Sequence, residues 1–514
     1  VTASTGRVFL IGAGPGDPGL ISVRGLRLLG EADVVVYDKN VAATLRWARP
    51  DAERLEVGAP AEAAVAQDAI SILLAEKARD GHTVARLKWG DPFVFDSGAK
   101  EALFLHEQGI PIEVVPGVTA AFGATAYAGV PVTYPGGDDL VVLIRGREGD
   151  SEAMPNVDWA AVVALDCTLV CYADARLAGQ ILSALVDHGA AGDTPAALVR
   201  RGTLPSQQTT TGTVAELLQG LSADTRSDLA ILVVGKVASL RDHLRWFDER
   251  PLFGRRIVVT RSHEQAQELV ERIENLGGLA IEAPTFRLGP PDDPEAVDRA
   301  AANIDTFEWV IFESANSVAR FFGALYQGPR DVRALGETSV CAIGPSTADR
   351  LGAYGIKPDV IIPEFRAESV GDALAARGSL AGLRLLVVRP DHLRDIVASD
   401  LARRGGVVTD LVAYRTAADP PESPVAQALY RQLLDGEIDA VTFTGPAAVQ
   451  RFATLIGEEE AADLLNTTAV ATIGPVTSAA AAELGITSTI MADAFDVDGL
   501  VSALVRHFST KTHA

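Results

Sequence analysis

Aromatic residues make up only 6% of this chain of 514 residues, so its core has to be built from Ala, Val and Leu. Cysteine is scarcer still. Cys167, Cys171 and Cys341 are too few for the disulfide framework of a small secreted domain. Cys167 and Cys171 stand four apart, but no histidine pair lies beside them, so they read as buried thiols near a strand. The eight histidines are scattered without ligand spacing, and no metal is expected. No run of ~18 apolar residues occurs, which predicts no membrane span. The opening VTASTGRVF has no basic segment ahead of an apolar one, and a reducing cytoplasm is the expected compartment. Positive charge is also short: 45 Lys and Arg against 68 Asp and Glu leave a net charge of −23. Nucleic acid is excluded as a partner, because phosphates reward basic surfaces. An anionic small substrate would be repelled at long range, so it must meet a local cluster of arginines or helix N-termini.

What is present is an ordinary globular composition, 48% hydrophobic and 22% charged. At ~150 residues per domain the length predicts roughly three or four units. Short β-rich runs (RVFLIG, DVVVYD, TVARLKW, IEVVPG) alternate with amphipathic stretches such as Gln67–Lys77, which predicts an α/β fold with largely parallel sheets. The best boundary is RWFDERPLFGRR, Arg245–Arg256, where Pro251 and Gly254 interrupt a charged helical segment before a new strand. The predicted division is 1–245, a linker at 246–254, and 255–514.

The second half repeats itself. VIFESANSVARFF (Val310–Phe322) resembles AVTFTGPAAVQRF (Ala440–Phe452), and CAIGPSTADRLGAYGI (Cys341–Ile356) resembles ATIGPVTSAAAAELGI (Ala471–Ile486). RRIVVTR (Arg255–Arg261) likewise matches LRLLVVRP (Leu383–Pro390). Each unit reads strand, polar turn, helix. Two similar lobes with a cleft between them follow.

The first half opens on FLIGAGPGDPGL, Phe9–Leu20, which looks like a strand entering a nucleotide loop. Gly12 and Gly14 supply G-x-G, but the third glycine of the dinucleotide fingerprint falls on Asp17, and Pro15 and Pro18 stiffen the turn. Two more Gly/Pro-rich junctions follow, RLKWGDPFVF (Arg86–Phe95) and VVPGVTAAFGATAYAGVPVT (Val114–Thr133). Together they predict one pocket rimmed by rigid backbone.

GAGPGDPGL, YDKNV, LKWGDPFVF, VVPGVTAA, AGVPVT, TLVCYADARL and DTPAALVRRGTLPSQQTTTGTVAEL, in this order over roughly residues 7–240, resemble the uroporphyrinogen-III C-methyltransferase family. The resemblance implies a two-lobed α/β fold that binds S-adenosylmethionine between its lobes, a cofactor without phosphate. It implies cofactor contacts at Pro15, Trp89, Gly90, Asp91, Val94, Thr119, Ala120, Ala173 and Gly202, and Asp38 as the base beside the porphyrinogen. It also implies a homodimer through this domain. The chain departs from the family pattern at Trp89 (usually Gly), Ala59 (Lys), Ser97 (Arg), Lys100 (Glu) and Ala173 (Met), and has Tyr134 and Pro135 in place of His-Arg. Trp89 would stack on the adenine or fill the pocket. The cofactor frame is better kept than the substrate contacts.

RRIVVTR, FESANSVARFF, IGPSTADRL, VVRPD, VAYRT, VTFTGPAAVQRF and TIGPVTSAA, over roughly residues 252–506, resemble uroporphyrinogen-III synthase. That implies one lobe from about 255–285 and 418–506, and another from about 288–416. The implied substrate is hydroxymethylbilane, a linear tetrapyrrole with eight carboxylates, which the enzyme closes to uroporphyrinogen III without a cofactor. Four turns, SANS, GPST, TGPA and GPVT, each follow a strand and open a helix, offering backbone N–H groups to carboxylates. Candidate substrate contacts are Ser314, Asn316, Thr347, Thr444 and Thr477, with Arg261 and Arg389 ending matching strands. Tyr414 matches the tyrosine proposed to assist hydroxyl loss; a phenol near pKa ~10 donates a proton without being ionised. Glu313 replaces the usual threonine of the FTSAN motif and would oppose an anionic ligand. The expected whole is a fused enzyme that makes uroporphyrinogen III and methylates it toward sirohaem or cobalamin. The alternatives are a synthase carrying a scaffold methyltransferase domain and a two-lobed tetrapyrrole sensor.

Overall fold

The computed structural model describes residues 6–49, 51–57, 67–135, 139–146, 154–221, 230–260, 263–283, 287–362, 367–391, 395–417 and 422–511. The chain forms two compact units: Val1–Ile257 with Val270–Ala280 and Leu504–Ala514, and Val258–Leu269 with Ile281–Ala503.

The first sheet is wholly parallel, in the spatial order Glu53–Val57, Val34–Asp38, Thr83–Lys88, Arg7–Gly12, Ile112–Val115. Its central strands are covered on both faces and mostly apolar, with Arg86 and Lys88 as buried exceptions. Phe9, Ile11, Val35, Ala85 and Leu87 pack on one face, and Val8, Leu10, Val34, Val36 and Val84 on the other. The helix Val23–Glu31 starts where Ser22 Oγ accepts the Gly25 N–H at 3.1 Å, an N-cap.

The second sheet has the order Val141–Arg145, Thr168–Ala173, Ala230–Val234, Pro195–Arg200, Gln208–Thr213; its first pair is parallel and the others antiparallel. The alanine-rich helix Ala120–Tyr127 lies on the face formed by Val170, Tyr172, Ala197, Val199 and Ile231. Small side chains let it come close. A Cβ on Gly202 would stand 2.2 Å from the Ala124 Cβ, so only glycine fits there.

The second half builds two further sheets. One has the order Leu279–Glu282, Arg256–Val259, Ala440–Phe443, Ala469–Thr472, Ile490–Met491. The other runs Arg287–Gly289, Val407–Ala417, Arg384–Pro390, Trp309–Phe312, Ser339–Ile343, Val360–Ile362, all parallel except the first pair. In this larger sheet Val310, Phe312, Leu386 and Val388 face one core, and Trp309, Ile311, Leu385 and Val387 the other. Each of the four turns expected to join a strand to a helix does so: Ala315–Gln327, Pro345–Ala353, Pro446–Ile456 and Pro475–Glu483 are the helices that follow. Among the described residues no helix is long and apolar enough to cross a membrane.

Candidate functional site

In the first half the three Gly/Pro-rich loops meet backbone to backbone. Gly90 N–H donates to the Gly14 carbonyl at 2.8 Å, and Gly14 N–H returns a bond of 3.3 Å. Asp91 fastens the third loop by accepting the Gly117 N–H on Oδ2 at 3.0 Å, while its Oδ1 accepts from Phe93 N–H at 2.8 Å. Val94 N–H donates to the Asp91 carbonyl at 3.3 Å. A Cβ on Gly117 would stand 2.2 Å from the Gly90 carbonyl oxygen, and Gly90 has φ +67°, a conformation that favours glycine. The GPGDP loop is rigid because it is one strand of this knot.

The other candidates gather around it. The Thr119 hydroxyl bonds the Tyr172 hydroxyl, which also accepts the Ala121 N–H at 3.3 Å. Ala120 is buried at the head of the same helix. Trp89 donates its indole N–H to the Pro15 carbonyl at 2.8 Å and stands edge-on to Tyr172, with ring centroids 6.4 Å apart. Its ring packs against the cores of both lobes. Ala173 differs: its side chain lies in the core with Leu177 and Leu232, on the opposite face from Tyr172. Only its backbone is left for a ligand, and the ring on that face belongs to Tyr172. Sequence reading passed over Tyr172, although strict alternation along Thr168–Ala173 would have singled it out. Main-chain groups, small side chains and two aromatic rings suit S-adenosylmethionine, which has no phosphate to demand a glycine-rich anion loop.

Asp38 ends the strand Val34–Asp38, and its Oδ1 accepts from Arg86 Nη2 at 2.6 Å. Arg86 belongs to a buried ionic network. Lys88 Nζ lies 3.1 Å from Glu101 Oε1, 3.0 Å from Asp96 Oδ1 and 2.8 Å from Ser97 Oγ. Arg86 Nε lies 3.4 Å from Glu101 Oε2. Burial pushes the Asp96 carboxyl up, against the pull of Lys88. Ser97, where the resemblance implies a substrate-clasping arginine, thus closes an internal network. Lys100 pairs with Asp68 at the surface, and Tyr134 is exposed. Ala59 and Arg261 lie outside the described residues.

In the second half Ser314 is the N-cap of Ala315–Gln327, accepting the Ser317 N–H at 3.1 Å. The same Oγ lies 3.2 Å from the Tyr414 hydroxyl. A register shift makes this meeting possible. Arg389 pairs with Val412, but Pro390 pairs with Tyr414, so Ala413 is an extra residue in Val407–Ala417. Ala413 and Tyr414 therefore both join the core of Phe312 and Val388, where alternation would send one of them to the other face.

Gly344, Gly445 and Gly474 cap the other three helices without a side-chain hydrogen bond, and each is followed by proline. First-turn N–H groups there are not taken by a cap, as an anion site requires. Thr347 and Thr477 are buried in those first turns, and Thr444 is half-buried between its strand and helix. None of these threonines is itself the cap. Arg389 is clasped by Asp410, through Nε and Nη2, each at 2.7 Å, so its charge is already matched by a carboxylate. Glu313 and Asn316 flank the Ser314 turn and are both buried.

Residues 7–218 match the family model of the tetrapyrrole (corrin/porphyrin) methylases, and residues 267–502 that of uroporphyrinogen-III synthase HemD. The porphyrin biosynthesis protein HemD of Ruminiclostridium josui is 34% identical over 505 residues, covering 97% of this chain and 98% of that protein. The chain belongs to the HemD porphyrin-biosynthesis family. It is a bifunctional tetrapyrrole-biosynthesis enzyme with a methyltransferase domain that uses S-adenosylmethionine and a uroporphyrinogen-III synthase domain. The uroporphyrinogen-III C-methyltransferase of Bacillus subtilis (strain 168) is 30% identical over 473 residues, 90% of this chain and 94% of that protein. Among solved structures, uroporphyrin-III C-methyl transferase from Thermus thermophilus complexed with S-adenyl homocysteine is 33% identical, with a TM-score of 0.40 over 46% of this chain and all of that one.

Proposed function

We propose that the second half closes hydroxymethylbilane to uroporphyrinogen III and that the first half methylates this product to precorrin-2, on the way to sirohaem or cobalamin. The observation that carries the synthase reading is the 3.2 Å contact between Tyr414 and Ser314 at the head of Ala315–Gln327. Loss of the substrate hydroxyl needs a proton, and a phenol held by a serine hydroxyl can deliver one. Uncapped helix starts at Gly344, Gly445 and Gly474 would hold the substrate carboxylates. Thr347, Thr444 and Thr477 belong to these turns, and Ser314 and Asn316 to the capped turn at the start of Ala315–Gln327; Arg261 would add positive charge, while Arg389, already held by Asp410, would add little.

In the first half S-adenosylmethionine supplies an electrophilic methyl group. Pro15, Trp89, Gly90, Asp91, Val94, Thr119, Ala120 and Gly202, with the backbone of Ala173, would hold it and fix the line of attack. Asp38, oriented by Arg86, would receive the proton that leaves the methylated ring. We further propose domains at 1–245 and 255–514, a cytoplasmic location, and a homodimer through the first domain. Phe93, Val118 and Phe122 support the dimer: all three are exposed apolar residues on the loops that meet at the glycine knot or the helix leaving it.

The test is conversion of hydroxymethylbilane by the whole chain, with and without S-adenosylmethionine. Formation of the type III isomer above the spontaneous type I product, followed by transfer of radiolabelled methyl, supports both halves. Type I alone refutes the synthase reading; cofactor binding without methyl transfer reduces the first half to a scaffold.

A further inference from the structure

Glu313 follows the strand Trp309–Phe312 and precedes the Ser314 cap. Its N–H donates to the Val388 carbonyl at 3.1 Å, which fixes it at the end of the sheet. It is 6% exposed, yet among the described residues neither carboxylate oxygen has a hydrogen-bond partner. Three residues on, Asn316 is 5% exposed and its Oδ1 is also unpartnered among the described residues. Buried polar groups are normally paired, and two orphans in one tetrapeptide at a helix start point to a ligand that completes them.

Among the described residues, the charges around Glu313 do not supply a partner. Arg389, on the adjacent strand, draws the carboxyl toward ionisation but is clasped by Asp410, whose own charge opposes it. Asp395 acts on Arg389 in the same neighbourhood. Burial outweighs the arginine and pushes the Glu313 carboxyl up to about 7. Near neutrality the residue is therefore divided between an O–H donor and an anion. The two orphans ask for opposite partners: a protonated Glu313 needs an acceptor, and Asn316 Oδ1 needs a donor. A tetrapyrrole offers carboxylate oxygens and pyrrole N–H groups together.

We propose that Glu313 selects the protonation state in which the synthase half binds its tetrapyrrole: the neutral carboxyl donates its O–H to a substrate carboxylate, and the ionised form repels it. The inference rests on the synthase reading above. Binding of the anion is then linked to retention of one proton. Affinity is full below the midpoint near 7 and falls about tenfold for each pH unit above it.

The experiment is a fluorescence titration of the full chain with uroporphyrin III, an octacarboxylate, between about pH 6 and about pH 8.5. The wild type is expected to weaken at least tenfold across this range. Glu313→Gln, which keeps a donor and cannot ionise, is expected to show a flat profile and to bind several-fold tighter than wild type at the alkaline end. Glu313→Leu, which fills the space without a donor, is expected to bind weakly and with no pH dependence. KM for hydroxymethylbilane should follow the same pattern while kcat does not. Superimposable wild-type and Glu313→Gln profiles would overturn the proposal. If the wild type forms no type III isomer even at about pH 6, the synthase reading itself fails, and the uroporphyrin titration still decides the role of Glu313. A Glu313→Gln chain that fails to fold, judged by circular dichroism, leaves the wild-type and Glu313→Leu profiles as the deciding pair: parallel slopes sink the idea.

Discussion

Tyr414 reaches Ser314 through one extra residue in its strand, and no periodicity in the sequence announces it. AYRT was legible as a motif; the bulge at Ala413 that re-aims the ring was not, because a bulge depends on pairing with Arg389 and Pro390 in another strand. Replacing Tyr414 by Phe keeps the packing and removes the proton donor. Synthase kcat is expected to fall by about 10²-fold with KM little changed, measured by steady-state kinetics on hydroxymethylbilane. Glu313 illustrates a second limit of sequence reading. It was expected to oppose an anion, but that follows only if it is charged, and burial holds its carboxyl near 7 rather than the usual 4.5. The raised value has a thermodynamic sign. Between these two values the folded chain holds a proton that the unfolded chain has released. The stability from Glu313 is therefore full below 4.5 and lost as pH rises through 7. Denaturant unfolding at about pH 5 and about pH 8 should show wild type losing on the order of 3 kcal/mol more than Glu313→Gln, at ~1.36 kcal/mol per pKa unit.

Elements whose two faces are buried announce themselves in the sequence, and those at sheet edges do not. RVFLIG and DVVVYD read as strands because alternate residues enter two cores. Glu53–Val57 is an edge strand of the same sheet with mostly exposed side chains, and ERLEV carries no apolar run to betray it. Gln208–Thr213, QTTTGT, is polar for the same reason. The three-loop knot was legible as three Gly/Pro-rich junctions, but not the contact between them. Gly117→Ala tests it. The added methyl meets the Gly90 carbonyl oxygen at 2.2 Å, backbone against backbone, with no flexible side chain to yield. The expected results are a stability loss of about 2–3 kcal/mol by denaturant unfolding and a loss of S-adenosylhomocysteine binding of at least tenfold by calorimetry, with synthase activity retained.

At the scale of the whole molecule, net charge and local geometry pull in opposite directions. A charge of −23 repels a polyanion, and salt limits that repulsion to about a Debye length, ~8 Å at physiological ionic strength. Added salt should therefore speed association: kon for uroporphyrin III, by stopped-flow fluorescence, is expected to rise between about 0.05 and 0.3 M NaCl, the reverse of a basic binding protein. The order of the strands carries a further consequence. Arg256–Val259 sits inside its sheet between Leu279–Glu282 and Ala440–Phe443, and the hydroxyl of Thr442 donates to the carbonyl of Val258, 184 positions earlier. During synthesis on the ribosome that early strand must wait for its neighbour while the whole intervening sheet, Arg287–Ala417, is made. A nascent chain halted before residue 440 would carry a bare, apolar strand edge, and there chaperones and aggregation would compete for it.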